Sequence, residues 1–161
     1  MSFILGKGFF GGVGMEENRM NEEAIFKERF PQAVITGQSA LYFYGYTDTK
    51  PERWQIAVDE KDDKDLYKIQ EQMVEPDFQS KRILTLGLVS MKIEQARLRI
   101  FDRERTICEV VKAEGRLGEA VVETAIRRYV QDPKMDLQNL FEYAEVLGIT
   151  QPVQKRIRKW N

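Results

Sequence analysis

The sequence contains no histidine and only one cysteine, and these two shortages exclude most of the common catalytic and metal-binding arrangements. Without histidine there is no Ser-His-Asp or Cys-His nucleophile, no imidazole acid or base, and no His-containing zinc site. The single thiol, Cys108, cannot form an internal disulfide or a zinc site made of cysteines, so we expect a small buried hydrophobe in an intracellular protein. An enzyme built on this sequence would have to use carboxylates, Lys, Arg, Tyr or Ser.

An excess of charge of one sign and a long apolar run are also missing. The 25 Lys and Arg residues are balanced by 26 Asp and Glu residues, so the net charge of −1 gives no global argument for binding nucleic acid. No uncharged run reaches the length of roughly 18 residues that a membrane span needs. A chain of 161 residues, 42% of them hydrophobic, fits one soluble, cytoplasmic domain over residues 21–161.

Residues 1–20 differ in composition from the rest of the chain and predict a flexible, Gly-rich leader. They contain Gly6, Gly8 and Gly11 in the GxGxxG spacing of dinucleotide-binding loops. Because Gly12 and Gly14 follow, the helix whose N-terminus would bind a pyrophosphate cannot start there. We therefore predict no cofactor site.

The periodicity of the remaining chain predicts an α+β fold. A small strand region, made of a hairpin plus one or two further strands, would be covered by a C-terminal set of three to four helices. The expected strands are a brief extended piece over 33–36, then 54–58, 83–86 and a hairpin over 89–100. The expected helices are 21–30, 39–44 ending at Gly45, a segment starting at Asp62 or Asp63, 103–114 capped by Asp102, 117–130, 136–147 and 153–160.

Two acidic patterns are candidate cation sites. The run from Asp59 to Asp65 lacks the glycine and the distal Glu of a calcium loop, so it favours a solvated helix start. Lys92 and Glu94 have the residue types of a metal-dependent nuclease in reversed order and on the polar side of a strand. We predict no metal site and no enzymatic activity, with a metal-dependent nuclease as the remaining enzymatic alternative.

The last predicted helix places four cations opposite its apolar stripe. They are Lys155, Arg156, Arg158 and Lys159. Such a surface either contacts phosphates or is a solvated face whose cations interact favourably with the C-terminal end of the helix. Nucleic-acid binding through this helix is the alternative function.

Three segments carry a family resemblance. Residues 37–48 read GQSALYFYGYTD and are followed by Pro51, residues 100–109 read IFDRERTICE, and residues 125–130 read AIRRYV ahead of a Tyr-Ala pair at 143–144. In this order and spacing they resemble the signatures of the AbiEi-family antitoxins of type IV abortive-infection toxin–antitoxin systems, over about residues 30 to 158. The motif residues that carry the resemblance, with no individual role assigned, are Ser39, Tyr42, Gly45, Asp48, Asp102, Glu104, Arg105, Thr106 and Tyr129.

The resemblance implies a non-enzymatic antitoxin or regulatory domain that counters an AbiEii-like nucleotidyltransferase toxin without necessarily forming a stable complex. AbiEi antitoxins often carry a histidine where this chain has Tyr44. They also usually place a DNA-binding winged helix-turn-helix before this region, and only about 30 residues precede the match here. The resemblance is therefore to the C-terminal antitoxin domain. A purely structural origin of these patterns, through capping and packing, is the competing interpretation.

Overall fold

The computed structural model describes residues 21–69 and 72–160, which form a mixed α/β structure. The strands of this part are β1 (Val34–Ile35), β2 (Trp54–Asp59), β3 (Val74–Gln79), β4 (Leu88–Ile93) and β5 (Ala96–Phe101). Its helices are α1 (Glu22–Arg29), α2 (Gly37–Tyr44), α3 (Asp65–Lys68), α4 (Lys81–Leu84), α5 (Arg103–Lys112), α6 (Glu114–Leu117), α7 (Glu119–Val130), α8 (Leu137–Leu147) and α9 (Thr150–Arg158).

The five strands form one mixed sheet in the order β3-β2-β1-β5-β4. The central strand β1 pairs antiparallel with β2, Val34 lying opposite Ala57, and parallel with β5, Ile35 lying opposite Ile100. Strands β2 and β3 are parallel, and β4 and β5 form an antiparallel hairpin. Sequence-distant segments therefore meet at the short central strand.

The first face of the sheet is apolar and carries α1 and α2. Phe26 of α1 stacks on Trp54 of β2 with ring centroids 4.3 Å apart. Alternate residues of β2 and β5, such as Ile56 and Ile100, are fully buried in the same cluster. This alternation is what an antiparallel or mixed sheet with one covered face requires.

The C-terminal helices build a second core beside the sheet. Helices α5, α7, α8 and α9 bury residues such as Ile107, Ile126 and Ile157 against one another. Helix α2 lies between the two cores, since Ala40 belongs to the sheet cluster and Leu41 to the helical cluster. Packing on α2 thus couples the sheet to the helices.

One strand in the middle of the chain was predicted at the wrong place. Residues 83–86, expected as a strand, lie in and after α4, whose Leu84 packs on the second face of the sheet against Phe101. The strand forms earlier, as β3, where Pro76 and three polar residues hid its pattern. Proline is tolerated there because β3 is an edge strand.

The helix predicted from Asp62 or Asp63 is only one turn long. In α3 the buried residue is Tyr67, whereas Leu66 and Ile69, two of the apolar positions of the predicted helix, are exposed. Five helices follow β5 in the described residues, where three to four were expected, because Gly118, with φ of 93°, separates the one-turn α6 from α7. The predicted leader, residues 1–20, lies outside the described residues.

Several local predictions are confirmed. Asp102 caps α5 by accepting a hydrogen bond from the Arg105 backbone N–H at 2.8 Å. Gly45 ends α2 in the left-handed conformation, with φ of 80°. Cys108 is fully buried in the helical core, and burial raises the pKa of its thiol to about 12.

Candidate functional site

The three segments that resemble AbiEi antitoxins contact one another in space. Tyr44 of α2 donates a hydrogen bond to the Phe101 carbonyl at the end of β5, at 2.8 Å. Arg128 of α7 donates to the Gly45 carbonyl at 3.1 Å and holds the Asp48 carboxylate at 3.0 to 3.1 Å. The α2 segment therefore touches both the β5–α5 junction and α7.

Arg105 is the most buried charged residue of these segments, with no exposed surface. Its guanidinium donates to Glu109 at 2.9 Å, to the Gln79 side chain at 2.8 Å, and to the carbonyls of Ile83 and Leu86 at 2.6 and 2.7 Å. The same group stacks over the Phe101 ring at 4.0 Å. Through these four hydrogen bonds Arg105 fixes the α4 turn and the end of β3 against α5, and they offset the cost of burying its charge.

The carboxylates beside Arg105 are also used internally. Glu104 accepts hydrogen bonds from the Tyr129 hydroxyl at 2.7 Å and from the Asp136 backbone N–H at 2.8 Å. Burial, together with the Glu104 hydrogen bond and charge, raises the pKa of Tyr129 far above its usual range. These bonds join the start of α5 to the end of α7 and the start of α8.

Asp102 and Thr106 complete the junction between β5 and α5. The second carboxylate oxygen of Asp102 accepts a hydrogen bond from Tyr143 of α8 at 2.6 Å. Burial and that carboxylate raise the pKa of Tyr143 to about 12. The Thr106 hydroxyl donates back to the Phe101 carbonyl at 3.1 Å.

A polar cluster that the sequence did not reveal lies at the edge of this unit. Asp132 accepts hydrogen bonds from the Tyr46 hydroxyl at 2.6 Å and from Arg103 Nε at 3.1 Å. The Arg103 guanidinium lies over the Tyr44 ring at 4.9 Å. The Tyr46 hydrogen bond, with the Lys134 backbone N–H and Arg103, lowers the pKa of the Asp132 carboxyl. Asp132 precedes Pro133, a pair typical of turns, and no local pattern links it to Tyr46 or Arg103.

The remaining motif residues divide between core and surface. Ser39 is buried and its hydroxyl accepts a hydrogen bond from the Gln55 backbone N–H at 2.8 Å. Tyr42 is partly exposed, and the Asp48 side chain is largely exposed although it is paired with Arg128. Of the motif residues with functional side chains, Tyr42 and Asp48 are therefore the most accessible to a partner.

The four cations of the last helix are not equivalent. Arg156 binds Glu114 and Glu119, with N–O distances of 2.7 Å to each, and Lys159 binds Glu123 at 2.8 Å. Lys155 and Arg158 are exposed and have no acidic partner among the described residues. Half of the predicted phosphate-contacting set is thus already neutralised within the fold.

A second basic surface lies on the β4–β5 hairpin. Lys92 and Arg97 are directly opposite cross-strand partners, and Arg99 follows on the same face opposite Ser90. We call Lys92, Arg97 and Arg99 the hairpin cations. Arg97 and Arg99 bond only to neutral groups, the Ser90 hydroxyl and the Gln32 side chain, and the three hairpin cations have no acidic partner within the described residues. The strand alternation predicted their common face, but not that they stay unpaired.

The same face of the sheet carries acids at its other end. Asp59 of β2 and Glu75 and Asp77 of β3 alternate with core residues in the same way. The two groups are separated by β1, so β3 and β5 lie about 14 Å apart at the usual strand spacing. The balanced net charge therefore hides a segregated charge distribution on this face.

The structure places the two acidic patterns that were candidate cation sites. Glu94 lies in the hairpin turn with φ of 58°, and Lys92 points with Arg97 to the charged face. Within residues 21–69 and 72–160 no group of three or more His, Cys, Asp or Glu side chains is placed to hold a metal ion. A cleft of about 680 Å³ at the end of β3 is lined by Lys112 and Arg116, which pair with the Glu109 and Glu75 that line it too.

No helix in the described residues combines the length and apolar character needed to cross a lipid bilayer. Comparison of the chain with protein-family models and with curated proteins gave no match.

Proposed function

We propose that this chain is a non-enzymatic antitoxin domain of the AbiEi type, which counters a nucleotidyltransferase-type toxin in the cytoplasm. The observation that supports this proposal is the contact between the three resembling segments, which are up to about 100 residues apart in the chain. Signatures that arose by chance in unrelated parts of a sequence have no reason to form one hydrogen-bonded unit. Their convergence favours a resemblance that extends over the whole domain.

The burial of the motif residues limits how such a domain would act. Arg105, Thr106 and Glu104 are inaccessible, so they serve the antitoxin by building its fold. A surface that acts on the toxin or its target must use exposed groups. The Asp48–Arg128 pair joins two of the segments at the surface, and Tyr42 is a further exposed side chain of the first segment. The structural origin of the motif and the antitoxin role are therefore compatible.

Growth rescue tests the proposal. A nucleotidyltransferase encoded beside this gene is induced with and without the chain, and we expect the chain to relieve the growth arrest. Asp48→Ala, Arg128→Ala and Tyr42→Ala are tested at matched soluble abundance, with Lys68→Ala, an exposed position on α3 outside the three segments, as the control. Continued arrest in the presence of folded, abundant wild-type chain would contradict the proposal.

Nucleic-acid binding is a second candidate function, and the hairpin cations favour it over the last helix. Like charges directly opposite each other in a sheet are destabilising, and Lys92 and Arg97 face each other with no acid between them. A polyanion would relieve this repulsion, and a two-stranded ribbon fits the major groove of DNA.

Salt-dependent binding distinguishes the two basic surfaces. Lys92→Ala/Arg97→Ala should reduce the slope of log affinity against log salt by about 2, whereas Lys155→Ala/Arg158→Ala should leave it unchanged. The opposite result would assign binding to the last helix. An absence of measurable DNA or RNA affinity at low salt would exclude this second function.

A further inference from the structure

The outer edge of β4 differs from the other edge of the sheet. The β3 edge is interrupted by Pro76 and flanked by Glu75 and Asp77, which is how natural sheets block further strand pairing. The β4 edge spans six residues without proline or glycine, carries Lys92 as its single charge, and leaves Val89 40% exposed. In the described structure no strand pairs with it.

The hairpin register shows which backbone groups face outward. The Asp102 N–H donates to the Gly87 carbonyl at 2.7 Å, and these residues continue the register in which Leu88 lies opposite Phe101. Hydrogen-bonded and non-hydrogen-bonded pairs alternate in an antiparallel ladder, so the residues bonded to β5 are Val89, Met91 and Ile93. The backbone groups of Ser90 and Lys92 therefore point away from β5, as does the Leu88 carbonyl.

This edge is complementary to itself. A two-fold axis at Ser90 would pair Ser90 with its copy and Leu88 with Lys92 of the other subunit, making four backbone hydrogen bonds from the outward groups. Val89 would then lie opposite Met91 on the apolar face, where both are incompletely covered in the monomer. Because directly opposite residues point to the same face of a sheet, the apolar face of one subunit continues into the apolar face of the other.

Charge selects this register over the neighbouring one. With the axis at Ser90, the two copies of Lys92 are offset by four residues, about 14 Å along the strand. With the axis at Met91 they would be diagonal neighbours about 7 to 8 Å apart. The two copies of Arg99 would be separated by three strand spacings, about 14 Å, beyond the Debye length at physiological salt.

We propose that the chain self-associates through antiparallel pairing of β4 with β4 of a second copy, forming a continuous ten-stranded sheet. The inference is independent of the antitoxin proposal, because it depends only on the exposed edge and its register. Repulsion between the hairpin cations of the two copies is screened at physiological salt and acts only at low salt, so raising the salt from about 0.01 M to physiological concentration should strengthen the dimer.

Amide hydrogen exchange and sedimentation at increasing protein concentration test this pairing. From low micromolar to near-millimolar concentration, the mass should rise from monomer toward dimer, and the Ser90 and Lys92 amides should become protected while Val89 and Met91 are protected throughout. Ser90→Pro removes an outward N–H and also the hydroxyl that accepts from Arg97, and it should weaken the dimer at least about tenfold. Ser90→Thr keeps both the N–H and a hydroxyl, and it should change the dimer affinity less than about threefold.

A second variant keeps the test informative if the proline disturbs the hairpin. Val89→Lys places a charge beside Met91 of the other copy at a position already exposed in the monomer, and it should also weaken the dimer at least about tenfold. Circular dichroism confirms that each variant is folded. A monomer at every concentration, a dimer unaffected by both variants, or protection of Ser90 and Lys92 that does not depend on concentration would overturn the proposal.

Discussion

At the scale of single residues, Arg105 has the clearest structural role. Replacing it with Ala removes four side-chain hydrogen bonds and leaves the Glu109 carboxylate, 5% exposed, without its main buried partner. Breaking one partner of a buried ion pair typically costs about 3 to 5 kcal/mol. We expect Arg105→Ala to lower the free energy of unfolding by about that amount in urea titrations. Exposed Arg158→Ala should change it by less than about 0.5 kcal/mol, and equal effects would contradict this role.

Gly87 lies directly beside Arg105. Its φ of 78° suits glycine, and a Cβ atom there would lie 2.6 Å from Arg105 Cβ. Gly87→Ala should therefore destabilise the protein by more than about 2 kcal/mol, through backbone strain and overpacking. Gly115→Ala is the matched control, because its Cβ meets nothing within 4 Å, and it should be neutral or slightly stabilising. Thermal unfolding of both variants provides the comparison.

Residue roles that depend on neighbours in the chain were predictable, whereas roles that depend on distant partners were not. The cap at Asp102 and the helix end at Gly45 follow from local chemistry, and both are confirmed. The role of Arg105 depends on Gln79 and on carbonyls in 83–86, a segment expected to form a strand. No local pattern reveals that a surface-looking Glu-Arg-Thr sequence is buried.

At the scale of elements, the apolar stripe of α9 was predictable and its contacts define its contribution. Val153 and Ile157 are buried in the helical core, as their spacing predicts. Ile157→Ala should lower the free energy of unfolding by about 2 to 4 kcal/mol, because it removes buried methyl groups and leaves a cavity. Val146→Ala, at a half-exposed position on α8, should cost far less. Similar losses in denaturant titrations would contradict the docking of α9 as described.

Strand β3 and helix α4 were not predicted, because neither has the regular apolar spacing of its element. Strand β3 carries Pro76 and alternates charged residues with core residues on an edge, so its apolar signal is weak. The strand is stabilised instead by its pairing with β2 over six residues and by the burial of Val74. Helix α4 reads as apolar and extended, yet Leu84 reaches the sheet only from a turn of helix. Tertiary contacts override local preference in both cases.

At the scale of the whole molecule, positive and negative charges are balanced in number but unevenly distributed over the surface. Arg156 and Lys159 are neutralised by acids of α6 and α7, while the hairpin cations and the acids of β2 and β3 occupy opposite ends of one sheet face. Composition predicts only the balance, because pairing depends on which helices pack together. The net charge therefore did not indicate that two cations of the last helix are paired with acids, whereas the hairpin cations have no acidic partner in the described residues.

The absence of histidine gives the whole molecule a simple pH dependence. Asp132 has a lowered pKa, so its contribution to stability is present above the ordinary carboxyl pKa of 3.8 and is lost as pH falls below it. The raised pKa values of Cys108 and Tyr143, both to about 12, act in the opposite direction. Unfolded chains lose these protons first, from ordinary values of 9.0 and 10.0, so stability falls as pH rises toward 12.

We therefore expect the free energy of unfolding to be nearly constant between about pH 6 and 9 and to decrease on both sides. Urea titrations across this range, with absorbance at the tyrosinate band as a second signal, provide the measurement. Tyr143→Phe removes one ionising hydroxyl that Asp102 holds in its protonated form, so it should make the alkaline decrease shallower even though it lowers stability at neutral pH. An unchanged alkaline slope in Tyr143→Phe, or a marked change in wild-type stability near pH 6.5, would show that other groups control the transition.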